Sequence, residues 1–284
     1  MKLARVGAIG AERPALVDEK GVLRDLGAHV ADIDGASLAP EVLARLGRLA
    51  PSRLPVLPAG QRIGPCVAHI GKFVCIGLNY ADHAAETNSR YPKEPIIFLK
   101  ATSAIVGPND DVLMPRGSTK LDWEVELGVV IGTRAKHVSE ADAPGHVAGF
   151  CVVNDVSERE FQLERGGTWD KGKGCDTFGP IGPWLVTPDE VGDVGNLSLT
   201  LDVNGQRCQN GTTRNMIFAP YFLVSYVSRF MTLLPGDIVA TGTPAGVGLG
   251  QKPPRFLRVG DVMDVEVQGL GRQRQTVVAE PGSA

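Results

Sequence analysis

A chain of 284 residues, 43% of them hydrophobic, is long enough for one large domain and one small one. Its net charge of −3 and pI of about 6.0 give no general attraction to nucleic acid or to an anionic membrane, and no apolar run approaches the length of a membrane span. The first residues carry Lys2, Arg5, Glu12 and Arg13 where a secretory signal needs an unbroken apolar core, and the five cysteines lack C-x-x-C spacing, so free thiols in a reducing cytoplasm are expected.

Residues 1 to about 68 read as a small N-terminal α/β domain. Met1 to Ile9 and Ala15 to Leu26 alternate like strands, with a turn at Asp18-Glu19-Lys20-Gly21. Pro40 to Leu49 reads as a short helix with proline in its first turn, and Pro51 to Pro65, with four prolines and two glycines, reads as a linker. A larger domain is expected over 69–284. Its strands are Phe73 to Ile76, Ile96 to Leu99, Glu124 to Ile131, Gly149 to Asn154, Leu197 to Val203 and Val262 to Val267. Asn204-Gly205 predicts a type I′ hairpin turn. Short helices are expected over Tyr80 to Asn88, Ala141 to Val147 and Ser157 to Glu164, and a more apolar one over Pro220 to Met231. With 35 glycines and 20 prolines, the expected class is α+β, mostly β.

The chemistry starts at Asp122-Trp123-Glu124-Val125-Glu126, which runs into Leu127 to Ile131. On a strand every second side chain points the same way, so Asp122, Glu124 and Glu126 are expected on one face. Parallel carboxylates repel and are costly to desolvate. A hard divalent cation with oxygen ligands resolves both problems, whereas a solvated outer face of an edge strand gives the same alternation. Asp155 ends a second apolar run, as a third ligand or as the cap of the helix that follows. His83 and Glu86 stand three apart, neighbours on a helix face, either a water-activating pair or a surface pair. Thr87 to Glu94 reads as a segment able to close over a site. Lys173 lies between Gly172 and Gly174, as a charge for an oxyanion or as a basic turn. Thr241-Gly242-Thr243-Pro244-Ala245-Gly246 reads as an anion-facing loop or an ordinary hairpin loop.

Together these motifs resemble the fumarylacetoacetate hydrolase superfamily. The match runs in order through Gly77-Leu78-Asn79-Tyr80 with His83 and Glu86, Glu124-x-Glu126, Asn154-Asp155, Arg159 with Gln162, Gly172-Lys173 to Asp176-Thr177, and Thr241 to Gly246, over about residues 70 to 270. The resemblance implies a mixed β-roll or sandwich beside the small N-terminal domain, assembled as a homodimer or a dimer of dimers. It implies Glu124, Glu126 and Asp155 as ligands of Mg²⁺, with Mn²⁺ or Ca²⁺ as alternatives. It implies His83 and Glu86 as the catalytic pair, Lys173 as an active-site cation, and Tyr80, Arg159, Gln162 and Thr243 as substrate contacts. Asp122 matches no ligand position and is expected behind the ligands. Trp169 to Asp176 and Gln206 to Asn210 look most like hydrolases of 2,4-diketo-3-deoxy acids from L-rhamnonate or L-fuconate, often labelled ureidoglycolate lyase. The implied reaction is hydrolysis of the C3–C4 bond of a small diketo acid to pyruvate and a hydroxy acid, lactate for the rhamnonate or fuconate derivative. The alternatives at the same site are oxaloacetate decarboxylation and ureidoglycolate cleavage.

Overall fold

The computed structural model describes residues 1–282. In chain order its strands are β1 (Lys2–Val6), β2 (Arg13–Val17), β3 (Leu23–Asp25), β4 (Phe73–Gly77), β5 (Ile96–Lys100), β6 (Ile105–Val106), β7 (Val112–Met114), β8 (Leu121–Asp122), β9 (Val125–Ile131), β10 (Val147–Asn154), β11 (Ser157–Glu158), β12 (Gly179–Val186), β13 (Ser198–Val203), β14 (Gln206–Thr212), β15 (Ile238–Ala240), β16 (Val262–Val267) and β17 (Gly271–Ala279). The α-helices are α1 (Pro40–Leu46), α2 (Ala81–Glu86), α3 (Arg159–Leu163), α4 (Asp170–Lys173), α5 (Pro188–Val191) and α6 (Pro220–Phe230). The mostly-β class expected from the sequence is the class observed.

A ten-stranded sheet runs β3-β2-β1-β12-β10-β9-β15-β4-β5, with β6 added on β12, and a five-stranded sheet runs β14-β13-β16-β17-β7. β9 is buried along its whole length, because both of its faces are covered. Val125, Leu127, Val129 and Ile131 pack with Leu199, Leu201, Met263 and Val265 of the smaller sheet. Val130 on the opposite face packs with Phe73, Cys75, Cys151 and Val153, in a core shared with Leu26, Ile33, Leu38 and Leu46. Through β1 the N-terminal strands extend the larger sheet onto β12. The proline-rich stretch meets those strands at the bridges Val56 to Arg24 and Val6 to Ile63.

The Asn204-Gly205 turn has φ values of 53° and 76°, the positive pair that a type I′ hairpin requires. One local expectation is corrected. Residues 143–146 form a 3₁₀ turn rather than an α-helix, since Pro144 and Gly145 break α continuity. Asp122 does not continue β9: it belongs to β8, which pairs with β11, while β9 begins at Val125. Trp123, Val125 and Leu127 nonetheless pack in one core, and Asp122 and Glu124 both accept from Arg159.

Candidate active site

Glu126 sits on β9, Glu124 just before it, and Asp155 just after β10. The pairing of Asn154 with Val125 and the bond from Asp155 N–H to Glu124 C=O, 2.9 Å, bring the three together. One oxygen from each of Glu124, Glu126 and Asp155 lies within 4.8 Å of the others, and all three residues are buried. Asp155 does not cap α3: the cap is Glu158, whose side chain accepts from Glu160 N–H.

Each carboxylate already has one oxygen engaged. Glu124 Oε1 accepts from Arg159 Nη2 at 2.6 Å. Glu126 Oε2 accepts from Gly242 N–H at 2.8 Å. Asp155 Oδ1 is paired with the buried Lys100 ammonium. The second oxygens of Glu124 and Asp155 share Lys173 Nζ, 2.8 Å from each. Burial alone would raise the Glu124 carboxyl, but Lys173 and Arg159 overcome this and hold it well below the usual range. Among the described residues no cation pairs with Glu126, and burial with the neighbouring Asp155 and Glu124 charges pushes its carboxyl well above the usual range. Buried oxygen donors without imidazole or thiolate, one of them lacking a counter-charge, fit a hard divalent cation such as Mg²⁺ or Mn²⁺.

The expected pair is present on α2. His83 Nδ1 lies 3.3 Å from Glu86 Oε2, and Glu86 also accepts from Gly246 N–H at 2.9 and 3.1 Å. A carboxylate on Nδ1 favours the tautomer that leaves Nε2 free to accept a proton. Arg159 donates to Asp122 at 2.8 Å and to Gln162 at 3.0 Å. Thr243 Oγ1 donates to Val125 C=O at 2.9 Å and accepts from Gln209 at 2.8 Å. Lys173 is placed by the short α4, which packs on α3 because Gly172 has no Cβ to meet Glu158 C=O and Gln162 N at about 2.4 and 2.5 Å.

These groups border one cleft of about 280 Å³, which His83, Glu124, Glu126, Arg159, Gln162, Lys173 and Thr243 all line. Tyr80 does not line it. Its ring is fully buried and its hydroxyl has no partner among the described residues. The rest of the wall is mainly apolar, with Phe98, Leu163, Trp169 and Leu249, plus Thr87 and Ser89 from the segment after α2. Trp169 stands edge-on to Phe98, ring centroids 5.3 Å apart. It reaches the end of β4 only because residue 77 is glycine: a Cβ there would meet the indole at 2.4 Å. Gly77→Ala is therefore expected to displace Trp169 and to cost about 1–3 kcal/mol by overpacking; urea unfolding monitored by fluorescence measures both.

Sequence reasoning missed Lys100, Asn79 and Gln209. Asn79 holds the loop after β15 by donating to Thr241 C=O at 2.8 Å. Gln209 ties Thr243 to Val125 N–H. Asn79 lay inside a recognised motif, but Lys100 gave only the signal of a lysine ending a strand.

Residues 72–278 match the sequence profile described as "Fumarylacetoacetate (FAA) hydrolase C-terminal". The chain belongs to the fumarylacetoacetate hydrolase family. Within it, a Burkholderia orbicola protein named provisionally as a hydrolase is 58% identical over 276 residues, spanning 97% of this chain and 98% of its own. The fumarylacetoacetate hydrolase of psychrophilic Exiguobacterium antarcticum has a similar structure, with a TM-score of 0.86 and 34% identity over 99% of this chain and 100% of that one. So does maleylpyruvate hydrolase of Sphingobium sp. SYK-6, solved with manganese(II) ion and pyruvate, with a TM-score of 0.82 and 27% identity over 98% and 99% of the two chains. Family membership agrees with an enzyme, and the buried carboxylates agree with a divalent metal. Among the described residues no helix is long and apolar enough to cross a membrane.

Proposed function

We propose that this protein hydrolyses the C3–C4 bond of an acylpyruvate, a 2,4-dioxo acid, releasing pyruvate and the acid of the acyl half. One observation carries the reading: His83, backed by Glu86, borders the same cleft as Glu124 and Glu126. A divalent cation held by Glu124, Glu126 and Asp155 would supply Lewis-acid stabilisation of negative charge on the pyruvate half. His83 Nε2 takes a proton from water, and the hydroxide oxygen adds to the C4 carbonyl. When that adduct collapses, the C3–C4 bond breaks, the acyl half leaves as a carboxylic acid, and the bonding pair passes to C3 of pyruvate as its enolate. Protonation at C3 completes the balance. Lys173, held protonated against its burial by Asp155 and Glu124, supplies positive charge on the pyruvate side. The Gln162 amide and the Thr243 hydroxyl offer polar contacts to the substrate.

Within this class we favour a 2,4-diketo-3-deoxy acid whose acyl half is lactoyl. That half has one methyl and one hydroxyl group, which suits an apolar wall interrupted by Thr87 and Ser89. The test is kcat/KM with saturating Mg²⁺ for this acid, for acylpyruvates of increasing length, for oxaloacetate and for ureidoglycolate. The lactoyl substrate is expected to exceed oxaloacetate by about tenfold or more, since a site built for one set of polar groups rejects a ligand lacking them. Preferred CO₂ release from oxaloacetate would replace hydrolysis by decarboxylation, and a preference for long apolar acyl groups would remove the sugar-acid assignment.

A further inference from the structure

We propose that Asp122 is a positioning residue that clamps the glycine loop 246–250 and through it fixes Glu86 and His83; the link to catalysis rests on His83 being the base. Asp122 is fully buried. Its Oδ1 accepts from Gly248 N–H at 2.6 Å and from Trp123 N–H at 2.8 Å. Its Oδ2 accepts from Leu249 N–H at 2.9 Å and from Arg159 Nε at 2.8 Å. One carboxylate thus serves four donors, and three of them are backbone groups that need it for satisfaction.

The loop it holds is threaded between three surfaces. A Cβ at residue 246 would meet Cys208 C=O at 2.0 Å, one at 248 would meet Arg255 C=O at 2.1 Å and Asp122 Oδ1 at 2.7 Å, and one at 250 would meet Glu86 Cδ at 2.3 Å. Glycine at these positions lets the loop lie against Asp122 on one side and Glu86 on the other. On the Glu86 side Gly246 N–H donates to the carboxylate that faces His83. A continuous set of contacts therefore runs from Arg159 through Asp122 and the loop to the α2 pair.

Two variants separate the parts. Asp122→Asn keeps the shape but turns one oxygen into a donor, so two N–H groups lose their acceptor whichever way the amide points. Gly248→Ala pushes the loop off Asp122 and leaves the Asp122–Arg159 pair intact. Hydrogen-exchange mass spectrometry of the full chain, with and without Mn²⁺, is compared with acylpyruvate kinetics. In both variants, amides of residues 81–89 and 246–250 are expected to exchange about tenfold faster while β9 and β10 stay protected. In both, kcat falls about tenfold; in Gly248→Ala, KM and Mn²⁺ affinity remain within about twofold. Wild-type exchange over 81–89 in both variants overturns the proposal, even if the loop itself loosens. So does a uniform rise that includes β9 and β10, which makes Asp122 a general stability determinant. If Asp122→Asn does not fold, Gly248→Ala alone decides. If the wild type turns over no dioxo acid, the functional reading fails while exchange still judges the clamp.

Discussion

Replacing His83 with alanine is expected to lower the hydrolytic kcat by about 10²–10⁴-fold, the usual contribution of a positioned general base. His83 is the imidazole in the cleft wall, and its Nδ1 is already turned toward Glu86. Its neighbour Glu124 is occupied by Arg159 and Lys173, and Lys173, against its burial, is held protonated by Asp155 and Glu124. Binding of oxalate, which resembles the pyruvate half, is expected to stay within about twofold, because the base contributes to the chemical step rather than to holding that half. Glu86→Gln is expected to slow turnover less, by about tenfold, since an amide still offers an acceptor to Gly246 N–H. Turnover and oxalate calorimetry in the presence of Mn²⁺ measure all three. Near-normal turnover in the His83 variant places the base elsewhere.

Chelation of divalent metal is expected to abolish turnover and Mg²⁺ or Mn²⁺ to restore it. Four buried carboxylates, Asp122, Glu124, Glu126 and Asp155, meet three buried cations, Lys100, Arg159 and Lys173, and among the described residues no cation pairs with Glu126. Glu126→Gln therefore separates two effects. Loss of a ligand charge is expected to weaken Mn²⁺ binding by about a hundredfold or more, beyond the loss of an outer partner. Without metal the same variant is expected to be more stable, because an amide is spared the burial penalty of a carboxylate and the repulsion of Asp155 and Glu124. Calorimetric Mn²⁺ titration and urea unfolding of chelator-treated protein read the two terms. Full activity after complete chelation, or a less stable metal-free variant, contradicts this account of Glu126.

The legible parts of the chain are those in which a local pattern and its long-range role agree. Val129-Val130-Ile131 and Cys151-Val152-Val153 carry the apolar density of strands buried on both faces, and Asn204-Gly205 is compatible with few turns other than the one it makes. Other strands were hidden by their composition. β12 contains two glycines and two prolines, Gly179-Pro180-Ile181-Gly182-Pro183, which read as turns. β17 turns Gln273 and Gln275 into the core, where Gln273 donates to the carbonyls of Val152, Pro180 and Gly182; buried amides invert the polar alternation by which a strand is read. In the site, Glu124, Glu126, Asp155 and His83 could be found from spacing and motif. Lys100 could not, because its partner Asp155 lies 55 positions away. Nor could the grip of Asp122, whose partners Gly248 and Leu249 lie 126 and 127 positions away.

The site is built from two kinds of material. Glu124, Glu126 and Asp155 stand on or beside β9 and β10, paired inside the ten-stranded sheet, and Thr243 follows β15, the next strand across. Thr87, Ser89, Leu163, Trp169 and Leu249, also in its wall, all come from helices and connecting segments. Sheet positions tolerate few changes, and connecting segments tolerate many. Descendants of this chain can therefore diversify in the ligands they accept by altering a few residues of the cleft wall, and the carboxylate cluster on the sheet need not be reinvented.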